Sequence, residues 1–388
     1  MDEARTRVLA NVRPLAAERV GLDDALGRVL AEDVVAEFEL PPFDSSAMDG
    51  FAVVAGPAAD LPVIGESQAG RPFEGELQPG QAVRISTGAV VPRGADAIVP
   101  IERVDVNGDR VRVPDATAGA HLRPAGDDLH RGDRVMTAGT DLGAAQIGML
   151  AGLGRIDVVC AERPRLAIAA TGDELVSGGQ PLAPGQIYDS NAAAIGAQAM
   201  TAGAEVVARM RVEDTERGTV EGIAAAADSA DVICITGGVS VGPHDHVKPA
   251  LAELGFDELL WGVRLKPGKP FWFGVRGEQY AFGLPGNPVS AMVTFTLFAR
   301  PALRALQGAD PSATRSTAVL DGPIAANADR DQAVRCRLRM DDDGWHAEPT
   351  GPQGSHVMSS MLGAAALAIV PAGERDLAPG ERVAIELI

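Results

Sequence analysis

Asp231–Lys248 reads DVICITGGVSVGPHDHVK, and its pattern decides the fold class. Val232–Ile235 is a short apolar run, bounded by Asp231 on one side and Gly237-Gly238 on the other. Such a run reads as a buried strand of a parallel sheet. A glycine-rich turn follows, and Val247–Leu254 has the pattern of a helix. Strand, glycine loop and helix together place bare backbone N–H groups above the strand's carboxyl end. That crevice is where open α/β sheets bind ligands, and N–H groups there favour anions. Asp245, three residues past Gly242, adds a carboxylate. A phosphate beside a carboxylate is costly unless a cation lies between them, so the pair points to Mg2+. Glycine after a strand is also ordinary punctuation, and neither GxxxxGK[ST] nor GxGxxG occurs here. On this stretch alone both readings stand.

On either side, residues 164–310 alternate strand and helix signals, the pattern of a parallel α/β domain. Strands are expected at Leu166–Ala170, Val206–Met210, Val232–Ile235, Trp261–Leu265, Phe271–Val275 and Tyr280–Gly283. Helices are expected at Ala192–Met200, Thr215–Ala227, Val247–Leu254 and Pro288–Leu306. Polar residues fill the strand-to-helix loops: Thr171–Glu174 after the first strand, Asp189-Ser190-Asn191 as a helix cap, and Asp214. In Leu265–Pro270, LKPGKP, a Pro-Gly turn separates Lys266 from Lys269. Paired ammonium groups suit phosphate or a molybdate-sized oxyanion, and a solvated turn explains them equally. In LPGNP, Asn287 suits a helix N-cap and Pro288 the first helical position, so the helix's positive end is aimed out of the sheet.

The flanks differ in texture. Residues 1–40 read as two helices separated by Pro14, the second with an apolar stripe of Leu22, Leu26, Val29 and Leu30. Ile156–Cys160 reads as a strand that returns to them, so that 1–40 with 141–163 make a discontinuous N-terminal domain. Residues 41–140 are rich in Gly, Pro and short β-like runs and read as a small β domain. Its polar corners are PPFDSSAMDGF, holding Asp49, and Ser86-Thr87-Gly88. Residues 311–388 read as a C-terminal barrel or sandwich with a polar loop at Gln353–His356. Asp141 is expected to cap a helix over Asp141–Leu153.

Composition narrows the function. A chain of 388 residues exceeds one compact core. With 34 Lys and Arg against 53 Asp and Glu, the net charge of −19 argues against nucleic acid or an anionic membrane as partner. An anionic substrate must then be held by a local group of lysines, N–H groups and metal. The three cysteines are far apart, form no CxxC pair, and fit buried thiols in a reducing cytoplasm. No nucleophile-elbow signature accompanies Ser355, so no Ser-His-Asp set is argued.

Taken in order, PPFDSSAMDGFA, STGAVVP, TGDEL, GQIYDSN, GGVSVGPHDHVK, KPGKP, GLPGNPVSA and GPQGSHVMSS resemble one family over nearly the whole chain. That family is the molybdopterin molybdenumtransferases (MoeA), similar also to the E domain of gephyrin. The resemblance implies a four-domain subunit, a homodimer, and a cleft between the α/β domain of one subunit and the N-terminal parts of the other. It implies the joining of molybdate to adenylylated molybdopterin with Mg2+, releasing AMP and molybdenum cofactor. Asp49, Glu174 and Asp245 match its catalytic and metal-holding acids. Thr87, Lys266, Lys269, Pro285 and Pro288 match its substrate-binding positions, and Asp128, Asp214, Arg335 and Ser355 match functional positions more loosely. Gly237, Gly238, Ser240 and Gly242 of the glycine loop and Asn287 at the helix start are read as substrate-binding from the N–H groups they offer. A molybdopterin adenylyltransferase and recipient molybdoenzymes are the implied partners. Phe51 and Ser45 depart from the family's usual tyrosine and asparagine. Two alternatives share the resemblance: an enzyme of the molybdopterin adenylyltransferase type, and a gephyrin-like scaffold.

Overall fold

Every residue of Val232–Thr236 is buried, as a continuous apolar run between two neighbours requires. The structure, a computed structural model, describes residues 1–239 and 245–388, so Ser240 and Gly242 lie outside the described residues. Val232–Thr236 sits in a six-stranded sheet with order Glu205–Val212, Arg165–Thr171, Val232–Thr236, Gln279–Leu284, Trp272–Arg276, Asp257–Trp261. The first four strands are parallel. Trp272–Arg276 runs antiparallel to both its neighbours, so the sheet is mixed where a parallel one was expected. The cause is local. Arg276 pairs directly with Gln279, and the two residues between them begin with Gly277 at φ 59°. A two-residue turn of that kind joins only antiparallel neighbours. The strand expected over Trp261–Leu265 divides at Gly262: Asp257–Trp261 stays in this sheet, and Leu265–Lys266 pairs with Asp331-Gln332.

Helices Asn191–Thr201, Glu216–Ala227 and Val247–Glu253 follow the parallel strands. Thr215 caps the second, its Oγ1 accepting from the Gly218 amide at 3.1 Å. After the last parallel strand, Pro288–Thr294 leads through one π turn, Phe295–Ala299, into Arg300–Leu306. Pro301 has no N–H to donate to the Leu297 carbonyl, and the helix widens there. This 19-residue stretch is long and apolar enough for a membrane span, but 78% of its window is buried in the protein. It is the core helix, with Phe298 stacked on Phe271 at 4.4 Å between centroids.

By contacts the chain forms two units: Met1–Glu32, Ala138–Ala144 and Asp157–Ile388; and Asp33–Thr137 with Ala145–Ile156. In the first, helix Asp2–Leu9 buries Ala4 and Val8. The second expected N-terminal helix is one turn, Leu22–Ala25. Before it Ala17–Gly21 is a strand, antiparallel to Asp157–Ala161. Gly27 at φ 72° ends the turn, and Leu26, read as part of an apolar stripe, is exposed. The helix expected from Asp141 begins at Ala144, and the Asp141 carboxylate takes Arg304 at 2.6 and 2.7 Å.

The five strands Arg315–Leu320, Asp331–Asp341, Gly344–Pro349, Ala366–Val370 and Arg382–Leu387 close on themselves through the pairing of Asp331–Asp341 with Ala366–Val370. They form a barrel filled by Ala318, Leu320, Val334, Cys336, Ala347 and Ile385 among others. The second unit is built on a six-stranded sheet, order Ala97–Pro100, Gly50–Val53, Ala82–Ile85, Ala59–Ser67, Arg110–Val113, Asp105–Asn107.

Candidate active site

Three parallel strands, Arg165–Thr171, Val232–Thr236 and Gln279–Leu284, end at the same side of the sheet. Their loops line a cavity of about 560 Å3. Such a position, outside the carboxyl ends of the strands, is the general ligand site of an open α/β sheet. The loops are forced into shape by close approaches. Gly237 has φ 87°, and a Cβ there would stand 2.7 Å from the Thr171 carbonyl. Gly238 has φ 61°, and its Cβ would stand 2.9 Å from Val247. Only glycine meets both demands.

Four carboxylates line this cavity: Glu174, Asp189, Asp214 and Asp245. Asp189 also accepts from the Ala192 amide at 3.0 Å. Among the described residues, no lysine or arginine lines it. An anion entering there must therefore bring or recruit positive charge. The donors are hard carboxylate oxygens, which fit Mg2+. Among the described residues, the three-group cluster with donor atoms within 4.8 Å lies elsewhere, at Asp341, Asp343 and His346. Mg2+ usually takes only one or two protein carboxylates, completing its shell with water and phosphate, so dispersed acids around a phosphate-sized cavity suit it.

The cavity gathers Glu174, Asp245, Gly237, Gly238, Pro285, Asn287 and Pro288. Asn287 stands at the N-cap position with Pro288 after it, as read. Its side chain caps nothing; Nδ2 donates to Ser355 Oγ at 3.2 Å, which ties the polar loop of the barrel to the cavity rim. Arg335 underlies that loop. It is 1% exposed and donates to Ser360 Oγ, Pro352 O and Gly354 O at 3.1 to 3.3 Å. Burial among neutral acceptors holds its guanidinium below the ordinary arginine range. Lys266 and Lys269 are exposed and do not line the cavity, although Pro270 beside them does.

Asp49 and Thr87 belong to the second unit. The Thr87 amide donates to Asp49 Oδ1 at 2.8 Å. Gly50 after it allows no other residue, since a Cβ would lie 2.1 Å from the Val99 carbonyl. Asp128 lines a separate cavity of the same unit, about 470 Å3, with Asp127, Arg123, Ser45 and Phe43. Sequence reasoning treated Asp189 and Asn191 as a cap and passed over Thr236, yet all three line the main cavity. The signal available was their position, immediately after a strand or before a helix on the ligand side of the sheet.

Three family models cover the chain: the MoeA N-terminal region (domain I and II) over residues 1–154, a probable molybdopterin binding domain over 167–305, and the MoeA C-terminal region (domain IV) over 317–388. A molybdopterin molybdenumtransferase of Haemophilus influenzae is 34% identical, over 100% of this chain and 98% of its own. Molybdopterin molybdenumtransferase 1 of Mycobacterium tuberculosis is 36% identical with the same coverage. The solved molybdopterin biosynthesis MoeA protein of Pyrococcus horikosii superposes with TM-score 0.84 at 30% identity, over 100% of this chain and 98% of its own. With its three regions in the family's order and its whole length matched, the chain belongs to the molybdopterin molybdenumtransferase (MoeA) family.

Proposed function

We propose that this chain inserts molybdenum in the synthesis of molybdenum cofactor, the transferase activity for which its relatives are named. The observation that carries the reading is the full-length match in all three regions, with an acid-lined cavity in the probable molybdopterin binding domain. The substrates are molybdate and adenylylated molybdopterin; a water or molybdate oxygen forms the new bond to phosphorus as the phosphoanhydride P–O bond breaks, and AMP leaves.

The residues present suit that task. Both reactants are anions, so the work of the site is charge control and orientation. The Gly237-Gly238 turn and the helix start at Asn287-Pro288 present backbone N–H groups for phosphate oxygens. Asp245 and Glu174 are the cavity carboxylates that would hold Mg2+, which when bound supplies positive charge to the phosphoanhydride; for Asp49 the same role is proposed from the family resemblance alone. Lys266, Lys269 and Ser355 serve the incoming oxyanion. No side chain is required to form a covalent intermediate. A homodimer in the cytoplasm completes the reading, supported by the family resemblance and by three cysteines that are all buried and free.

The test is incubation with adenylylated molybdopterin, with and without molybdate, following AMP. Molybdate-dependent AMP release is the expected result. AMP release indifferent to molybdate, or ATP consumption in its place, would replace the reading with that of an adenylyltransferase-type enzyme.

A further inference from the structure

Buried side-chain oxygens and nitrogens in this protein almost always have partners, as they must. Among the described residues three do not: Asn191 Oδ1, Thr236 Oγ1 and Gln198 Oε1. Two of the three, Asn191 and Thr236, line the same cavity. Thr236 is 1% exposed, at the end of the central strand and next to Gly237. Asn191 begins the helix Asn191–Thr201, and its Nδ2 donates to the Gly286 carbonyl at 2.8 Å. That bond decides which way the amide points. Turning it over would set Oδ1 against the Gly286 oxygen, so the unpaired atom is the acceptor.

We infer that Thr236 and Asn191 are substrate-binding residues, holding a hydroxyl and an acceptor oxygen in reserve for hydrogen-bond donors on the bound molecule. The inference rests on the proposed function and deepens it. The ligand class is a molybdopterin-type ring system, whose ring N–H and amino groups are donors, rather than the oxyanion, which at neutral pH has none to give. Asn191 has a second duty as a positioning residue, since its other amide atom fixes the turn that carries Asn287. Both atoms lie in the cavity wall rather than on its surface. Presenting them therefore requires the side chains to shift on binding, as side chains at binding sites commonly do.

The inference has an unusual signature, because a hydroxyl kept unpaired burdens the empty protein. Thr236→Val removes it at equal shape. The ligand-free variant should melt no lower than the unaltered protein, while KM for adenylylated molybdopterin rises about tenfold, the effect of one lost hydrogen bond, and kcat falls by no more than about twofold. Thr236→Ser should restore KM. Asn191→Asp keeps an acceptor but loses the donor to Gly286, so it should depress kcat as well as affinity. Direct binding of molybdopterin, read by fluorescence, gives a second readout free of turnover. If Thr236→Val melts lower and binds molybdopterin as well as the unaltered protein does, the hydroxyl is merely structural and the assignment falls. If the unaltered protein itself binds no molybdopterin, the proposed function falls first and this assignment with it.

Discussion

Arg5 and Glu386 are separated by 381 positions in the chain, and Arg5 Nη1 donates to Glu386 Oε2 at 2.8 Å inside the protein. Their side chains are 6% and 2% exposed. Glu386 also receives Arg300 at 2.7 Å and Arg315 at 3.5 Å, so one carboxylate joins the first helix, the core helix and the barrel. Burial draws the Arg300 guanidinium below its ordinary range, and Glu386 opposes that fall. Glu386→Gln removes the charge and strands buried guanidinium groups. The expected cost is about 3–5 kcal/mol, as for other broken buried pairs. Urea unfolding of the variant checks it, and a loss under 1 kcal/mol would mean that solvent reaches the arginines.

The acids of the two units should separate folding from chemistry. Asp49→Ala removes the acceptor of the Thr87 amide, and Asp245→Ala removes a carboxylate of the main cavity. Both variants should fold, and both should lose AMP release by at least about 100-fold, the scale of removing one charge-stabilising group. Near-normal turnover in both would end the carboxylate role proposed for them.

Gly237→Ala tests the turn after the central strand. The left-handed backbone alone costs an alanine about 1–2 kcal/mol, and its Cβ meets the Thr171 carbonyl at 2.7 Å. Stability should fall by at least that amount, and affinity for molybdopterin should fall with it. Gly277→Ala, where a Cβ meets nothing within 4 Å, is the control for backbone strain alone. Equal losses of affinity in the two variants would remove the argument from close approach.

The barrel carries a pH-dependent network. His346 Nδ1 lies 2.8 Å from Asp321 and Nε2 lies 2.7 Å from Asp343, while Arg339 also binds Asp321. Hydrogen bonds to Asp321 and then Asp343 raise the His346 pKa, and the same bonds lower those of both aspartates. A raised histidine pKa stabilises fully below the unfolded value, about 6.5, and the gain is lost as pH rises through the folded value. The lowered aspartates stabilise above their unfolded value, about 3.9, and lose that gain as pH falls through the folded one. The network therefore contributes most between about pH 4 and 6.5. Melting temperature against pH for His346→Gln should lie below the unaltered curve in that window and approach it above neutrality. Parallel curves from pH 4 to 9 would contradict the sign.

How much was legible depended on whether a feature is local. Val232–Ile235 announced a buried strand because burial on both faces leaves no room for polar alternation. Residues 311–388 were legible as a barrel or sandwich, and the Asn287-Pro288 helix start from residue type alone. The apolar spacing of Leu22, Leu26, Val29 and Leu30 misled, since Gly27 breaks the helix and Val29 and Leu30 bridge instead to Asp141 and Cys160. The antiparallel edge of the sheet turned on two residues, Gly277 and Glu278, that resemble any loop. The contact of Asn287 with Ser355, and the unpaired state of Thr236, are products of packing between segments far apart in sequence. No pattern within either segment could display them.

The closed ring of residues 315–387 has a further effect. Every strand in it has a neighbour on each side over at least part of its length, so little of the ring's main chain is left to recruit a strand from another molecule. A partner meeting this region reads mainly its side chains, and single surface substitutions can therefore change who it meets without disturbing the ring itself.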